Sequence, residues 1–151
     1  MAQSLAKVYL HIIFSTKGRQ PWVKKEFKGN LESYLVKLGS DLGSYTEAIF
    51  LNPDHLHWLC TLPRTITIAD FLNKVKSNSS KIGKIEVDPN FNWQNGYGVF
   101  SVSQSKVEVV KAYISNQESH HEKVSFQEEF RKFLAEYKIA KTKSTIFLAD
   151  F

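Results

Sequence analysis

The stretch Asp54-His55-Leu56-His57-Trp58-Leu59-Cys60 has the pattern of a β-strand and carries two histidines. In an extended strand, side chains two positions apart lie on the same face of the sheet. His55 and His57 would therefore share one face, while Leu56 and Trp58 would point into a core on the other. Two imidazoles at this spacing could form half of a divalent metal site, although a lone His-x-His pair more often lies by chance on a solvated face.

The composition is that of a soluble globular chain. Its 151 residues, 42% of them hydrophobic, are enough for one domain with a substantial core, so we expect a single domain over 1–151. No apolar run approaches the roughly 18 residues of a transmembrane helix, and the N-terminus lacks the pattern of a secretory signal. We therefore expect no membrane partner. The one cysteine, Cys60, excludes an internal disulfide, fits a reducing compartment and should be buried and unreactive in its apolar strand.

The chain is mildly basic, with 20 Lys and Arg against 15 Asp and Glu and a formal net charge of +5. This balance is compatible with a polyanionic partner, but many domains share it. The positions are more informative, because basic residues cluster after the first predicted strand and again over 74–84. Lysines among small polar side chains suit phosphate contacts, which give affinity without reading bases. The candidate DNA contacts are Lys17, Arg19, Lys74, Lys76, Lys81 and His121.

Hydrophobic periodicity and turn residues predict the element order β-α-β-β-α-β over the first two thirds of the chain. The predicted elements are a strand over 7–16, a helix over 22–40, strands over 44–51 and 55–62 joined by a hairpin turn, a helix from 68 that fades at 80–83, and a strand over 97–103. This order is the split-βαβ, ferredoxin-like topology, an α+β fold with an antiparallel sheet. Its first and third strands are central, so the His pair would have a rigid mount.

Two further helices are predicted after the last strand. The first begins with a capping box at 105–108 and runs to about 120, and the second covers about 125–138. On the first of them, Tyr113 and Gln117 are four positions apart and so share a face. We expect this face to be turned away from the apolar stripe that starts at Val107.

Tyr113 and Gln117 could supply the second half of a site. A tyrosine hydroxyl can attack a phosphodiester, but it is a weak nucleophile at its free pKa of about 10. A divalent metal could stabilise charge on the phosphate, with Gln117 as a third, neutral oxygen ligand beside the two histidines. Without the His pair, both residues would be ordinary members of a surface helix.

These residues resemble the HUH-type single-tyrosine transposases of small insertion sequences, the two-hundred-like family of the HUH endonuclease superfamily. The resemblance covers about residues 5–137 and leaves 138–151 as a C-terminal tail. It rests on a His-hydrophobe-His motif followed by Tyr-x-x-x-Gln, a combination that is specific although each half alone is not. The stretches that carry it are 9–17, 52–58, 76–81, 93–103 and 113–121.

The resemblance implies a transposase that cuts and rejoins single-stranded DNA at hairpins at the ends of its element. Tyr113 would attack the scissile phosphate, giving a 5′-phosphotyrosine link and a free 3′-hydroxyl. His55, His57 and Gln117 would hold Mg²⁺ or Mn²⁺, and no small-molecule cofactor would be needed. The resemblance also implies a homodimer, whose sites can combine the His pair of one subunit with the tyrosine helix of the other. The implied location is the prokaryotic cytoplasm, near the nucleoid.

Two other functions stay open at this point. One is a non-cutting or domesticated relative that binds hairpin DNA, although four intact chemical positions argue against a purely binding protein. The other is an RNA-recognition module of similar topology, although the aromatic strand signature of that class is not evident.

Overall fold

The computed structural model describes residues 3–118 and 125–137. Its strands are β1 (Tyr9–Ser15), β2 (Thr46–Leu51), β3 (His55–Thr61) and β4 (Gly98–Val102). Its helices are α1 (Lys25–Asp41), α2 (Ile68–Glu86), α3 (Val107–Ser115) and α4 (Phe126–Glu136). Two predictions, the tail over 138–151 and the contact residue His121, lie outside the described residues. Within those ranges, no helix combines the length and the apolar character that crossing a membrane requires.

The strands form one antiparallel sheet in the order β2-β3-β1-β4, which confirms the α+β, ferredoxin-like topology. The central strands β1 and β3 pair from Tyr9 opposite Thr61 to Ser15 opposite His55, and His57 lies opposite Ile13. Both central strands are hydrogen-bonded to a neighbour on each side. Side chains on them are therefore held on a rigid element, as a site requires.

One face of the sheet forms the main core with α1 and α2. Trp58 and Leu56 of β3 are fully buried there, together with Phe14 of β1, Leu35 of α1 and Phe71 of α2. The alternation that the sequence predicts for β3 is therefore confirmed on its apolar side. Burying these large side chains is the main source of stability, at about 1.5–3 kcal/mol for each.

The opposite face of the sheet is covered by α3 and α4. Helix α3 packs Val107 and Ile114 against Leu59. Helix α4 packs Phe130 and its neighbours against Ile13. The odd-numbered side chains of β3, which include both histidines, therefore lie beneath two helices and not on a solvated face.

Helix α2 is longer than the sequence pattern predicts. We expected it to fade at 80–83, where serines and a glycine lower helix propensity, but it continues to Glu86. Two contacts from the following loop explain the difference. The indole nitrogen of Trp93 donates to the Ser79 hydroxyl at 2.8 Å, and the Phe91 ring packs so closely over Gly83 that a Cβ there would lie 2.2 Å from it. Tertiary packing thus overrides the local preference.

The same contact predicts the effect of a methyl group at Gly83. Gly83→Ala should destabilise the protein by about 1–3 kcal/mol, because the fully buried Phe91 ring must move away. Gly29→Ala is the matched control, since Gly29 also lies inside a helix but has nothing within 4 Å of the added methyl. The control should be stabilised by about 0.5–1 kcal/mol. Urea unfolding of the two variants measures both; equal shifts would contradict the packing argument.

The predicted capping box at 105–108 is wrong. Residues Gln104–Lys106 form a tight 3-10 turn, and α3 begins only at Val107, without a side-chain cap. The Lys106 amide donates to the Ser103 carbonyl at 2.9 Å, and the Ser105 hydroxyl lies 3.2 Å from that of Ser103. The Ser105 side chain therefore makes its hydrogen bond within the turn and does not cap α3. By contrast, α2 begins with a side-chain cap, because the Thr67 hydroxyl accepts from the backbone amide of Asp70, the third helical residue.

Cys60 is fully buried in the main core, as its position in the strand predicted. Burial raises the pKa of its thiol to about 12, and a hydrogen bond with Ser44 offsets only part of this. Because the thiolate is the reactive form, we expect no labelling by a thiol reagent at pH 8 in the folded protein. One thiol per chain should react in urea. Rapid labelling without denaturant would contradict the buried, unreactive assignment.

Candidate active site

The structure places both predicted histidines in the interior, with 1% of His55 and none of His57 exposed. A third imidazole, His11 of β1, lies beside them, with its Nε2 atom 2.9 Å from Nδ1 of His57. Burial, followed by the neighbouring His57, lowers the pKa of His11 well below its ordinary value, so this ring is neutral. A neutral imidazole has one donor and one acceptor nitrogen. His11 therefore orients His57.

The centre of the site is a carboxylate that the sequence analysis did not select, Glu129 of α4. It is buried, with 2% of the residue exposed. His57 donates from Nε2 to its Oε1 atom at 2.7 Å, and Nε2 of His55 lies 3.7 Å from the same oxygen. The other oxygen, Oε2, accepts from the Tyr113 hydroxyl and from the Gln117 amide, the latter at 3.3 Å. One carboxylate thus joins both halves of the predicted site.

The loop before β3 fixes the orientation of His55. The Asp54 carboxylate accepts from His55 Nδ1 at 2.7 Å, which leaves Nε2 as the acceptor nitrogen of a neutral ring. The amide of Asn52 lies 3.2 Å from that Nε2 atom and also donates to Gln117 at 3.4 Å. Burial alone would lower the pKa of His55, but the hydrogen bond to Asp54 and the nearby Glu129 carboxylate outweigh it and raise this pKa.

Tyr113 is half-buried on α3, between the histidines and α4. Its ring centroid lies 5.7 Å from that of His57 and 5.8 Å from that of Phe133. Burial is the main reason that the pKa of Tyr113 lies far above its ordinary value, and the hydrogen bond to the Glu129 carboxylate raises this pKa further. The hydroxyl is therefore protonated in the arrangement that the structure describes.

The predicted orientation of the tyrosine face is wrong. Tyr113 packs against the same cluster as Val107 and Ile114 and is not turned away from their stripe. The reason is that α4 lies over the same face of the sheet, where Glu129 and Phe133 contact the Tyr113 side chain. Gln117, just beyond the end of α3, is completely buried.

The residues present fit a divalent ion. One ligand atom from each of His55, His57 and Glu129 lies within 4.8 Å of the others, and all three residues are buried. Two imidazoles and a carboxylate are a common ligand set for divalent transition metals, and carboxylate oxygen suits Mn²⁺ and Mg²⁺. A histidine that donates its other ring nitrogen to a carboxylate, as His55 does to Asp54, is typical of metal ligands.

Glu129 could have been found from one signal in the sequence. It lies four positions before Phe133 on a helix whose other inward residues are aromatic or aliphatic, so an acidic residue occupies the apolar stripe. A carboxylate in such a position must find a polar partner, because burying it alone is costly. The pattern does not reveal which partner.

The predicted DNA-contact residues have different surroundings. Lys17, Lys74 and Lys81 are exposed, as phosphate contacts require. Arg19 is half-buried and, with the Gln127 amide turned to offer its oxygen, donates to it at 2.7 and 3.0 Å. Lys76 is also half-buried, with its ammonium group on two loop carbonyls. Among the described candidates, Lys17, Lys74 and Lys81 are therefore the ones accessible to a phosphate without a change in their present contacts.

Comparison with known proteins gives the class to which this fold and site belong. The family model described as IS200-like transposase matches residues 4–117, which include the His pair, Tyr113 and Gln117. The chain therefore belongs to the IS200-like transposase family. Helix α4 and Glu129 lie beyond the matched range. No curated protein gives a significant match.

Two solved structures share the fold. A candidate transposase from Deinococcus radiodurans R1 is 24% identical, with a TM-score of 0.61, and the match covers 78% of this chain and 98% of that one. A REP-associated tyrosine transposase bound to a REP hairpin is 15% identical, with a TM-score of 0.59, and the match covers 82% of this chain and 76% of that one. At these identities the two structures support the architecture and not individual contacts.

Proposed function

We propose that this protein cleaves and rejoins single-stranded DNA at hairpins through a covalent bond to Tyr113. The observation that carries the proposal is the convergence of the Tyr113 hydroxyl and the two histidines on one buried carboxylate. The histidines lie on β3 and the tyrosine lies on α3. The fold thus brings the nucleophile and the candidate metal ligands together at one carboxylate. Membership of the transposase family supports the reaction class. The hairpin in the second related structure supports the substrate.

The proposed reaction exchanges one phosphodiester for another. The Tyr113 oxygen forms a bond to phosphorus as the bond from phosphorus to the 3′ oxygen breaks. The phenol loses a proton, the departing 3′ oxygen gains one, and the 5′ phosphate stays on the tyrosine. Attack of a 3′-hydroxyl on this link reverses the step and rejoins the strand. Glu129 already accepts the phenol hydrogen bond, so it is placed to receive that proton.

We further propose that His55, His57 and Gln117 hold Mg²⁺ or Mn²⁺, with Glu129 as an added anionic ligand. When bound, the ion would stabilise negative charge on the phosphate. The structure supports Glu129 because its oxygen already faces both Nε2 atoms. His11 supports His57 from behind, because a neutral imidazole can donate to or accept from Nδ1. The protein would act as a homodimer, since one tyrosine makes only one link and an exchange needs two.

A second candidate function is hairpin binding without cleavage. One observation favours it: in the described residues every buried side-chain nitrogen and oxygen has a hydrogen-bond partner. The site is therefore satisfied with the tyrosine hydroxyl engaged by Glu129. For a cutting enzyme, DNA binding must bring the scissile phosphate to the Tyr113 oxygen while Glu129 accepts its proton.

One experiment separates the two functions. The protein is mixed with single-stranded DNA that is labelled at its 3′ end and carries hairpins from the flanks of its own gene, with Mn²⁺, and the products are run on a denaturing gel. Cleavage predicts a labelled species that migrates with the protein and survives denaturation. Retained hairpin affinity without that species would favour the non-cutting binder.

A further inference from the structure

A polar cleft of about 360 Å³ lies between α2 and the loop over 92–97. Its volume is within the range of small-ligand sites, about 300–1,000 Å³. The side chains that give it its chemistry are Asn73, Lys76 and Ser77 of α2 and Asn92, Asn95 and Tyr97 of the loop. Asparagine amides both donate and accept hydrogen bonds. The walls can therefore pair with the edge of a flat heterocycle and offer an aromatic ring beside it.

Lys76 holds the cleft in shape. Its ammonium group donates to the carbonyls of Gln94 at 2.7 Å and Gly96 at 2.8 Å, and it lies 5.9 Å from the centre of the Tyr97 ring. Burial lowers the pKa of this lysine to about 8. Two carbonyls use two of the three N–H donors of the group. The lysine therefore fastens the loop to α2.

The loop also connects the cleft to the candidate active site. The buried Gln94 side chain accepts from the backbone N–H of Ser15 at 2.8 Å and from its hydroxyl, and the backbone N–H of Gln94 donates to the Ser15 carbonyl at 3.0 Å. Ser15 lies directly opposite His55 in the sheet. Trp93, which precedes Gln94 in the loop, forms an isolated antiparallel β-bridge with Thr16. The cleft and the His pair therefore lie near the same end of β1.

We propose that this cleft binds one unpaired nucleobase of the DNA strand that enters the active site. This inference rests on the proposed function for its choice of DNA. The neutral amides favour a base over a phosphate, because a phosphate site would present unpaired cations. Exposed Lys74 and Lys81, also on α2, are available for the backbone. Single-stranded nucleic acid is typically bound in this way, with bases against aromatic rings and amides and phosphates near basic side chains.

The test measures binding and needs no cleavage. The protein carries Tyr113→Phe, so covalent products do not form even if the native enzyme cuts. Fluorescence anisotropy compares a labelled strand of ten thymidines with a ten-unit abasic strand, which has the same phosphates and no bases. The variant under test combines Asn73→Ala and Asn95→Ala, two exposed positions whose truncation leaves the core intact. Asn90→Ala, an exposed asparagine outside the cleft, is the matched control.

We expect removal of the bases to weaken binding at least about fivefold in the parent protein. In the double variant, the preference for the thymidine strand over the abasic strand should largely disappear. In the Asn90 control, this preference should be as large as in the parent protein. A strand with 5-iodouracil should crosslink on irradiation to a peptide that contains 92–97. Equal base dependence in all three proteins, or crosslinks only elsewhere, would overturn the proposal. Tighter binding of a matched RNA strand would overturn the choice of DNA. Failure of the native protein to cut hairpins affects only the proposed function.

Discussion

A Tyr113→Phe variant is expected to lose covalent attachment to DNA entirely and to cleave at least about a thousandfold more slowly than the native protein. The change removes the atom that forms the bond to phosphorus in the proposed reaction. It leaves the ring packing with His57 and Phe133, whose centroids lie 5.7 and 5.8 Å away, in place. The Glu129 carboxylate keeps its hydrogen bonds from His57 and Gln117. The variant should therefore fold.

The denaturing gel described above measures this result. Tyr137→Phe is the matched control, because Tyr137 is partly exposed and its hydroxyl donates only outside the site, to the Ser101 carbonyl at 2.9 Å. It should give as much protein-linked DNA as the native protein. Hairpin affinity of the Tyr113 variant should be unchanged in a native gel shift. Undiminished cleavage and joining without the Tyr113 hydroxyl would remove the tyrosine mechanism altogether.

The second large effect concerns the metal. Native protein should bind Mn²⁺ and be stabilised by it against thermal unfolding, by about 2.7 kcal/mol at a hundred times the dissociation constant. His57→Ala should abolish that stabilisation, because it removes one of the two imidazoles that face the Glu129 oxygen. Isothermal titration with Mn²⁺, followed by thermal unfolding with and without the ion, measures both quantities. Circular dichroism shows whether the apo variant is folded.

Further variants decide which residue completes the ligand set. Glu129→Gln should weaken Mn²⁺ binding by at least about tenfold, because it removes the negative charge of the cluster. Gln117→Ala should weaken it less, since a neutral amide is the poorer ligand. Glu128→Gln is the matched control on the exposed side of the same helix and should bind as the native protein does. If the Glu129 variant keeps full affinity for Mn²⁺ and the Gln117 variant loses it, Glu129 is not a ligand. The metal ligands are then the three predicted from the sequence, His55, His57 and Gln117.

Most of the fold was accessible from the sequence because its signals are local. The alternation over 54–60 correctly separated the core side of β3 from the histidine side. The order of elements was enough to identify the sheet topology. The errors occurred where a local pattern competed with distant packing, as at Gly83 under Phe91. The capping motif at 105–108 failed because a tight turn used its serine first.

In the candidate site, too, the sequence predicted what depends on local spacing and missed what depends on distant packing. The spacing of His55 and His57 placed both on one face, and the later Tyr-x-x-x-Gln motif supplied the rest of the family signature. Neither motif could indicate Glu129, which lies 72 positions beyond His57 along the chain. A single acidic residue on an apolar helical stripe signals only that a partner exists. Its identity depends on how α4 packs across the sheet.

By itself, the sequence determined the strand that carries the histidines, the face on which they lie and the family of the protein. The strand and the face follow from the spacing of the residues, which backbone geometry converts directly into a shared face. The family follows from the resemblance that the two motifs carry together. Only the tertiary structure decided that His57, Tyr113 and Gln117 share the Glu129 carboxylate, and that Lys76 fastens a loop and does not extend into solvent. Those contacts join residues far apart in the chain. They exist because burial of apolar faces brings the helices onto the sheet, and buried polar groups must then find partners there.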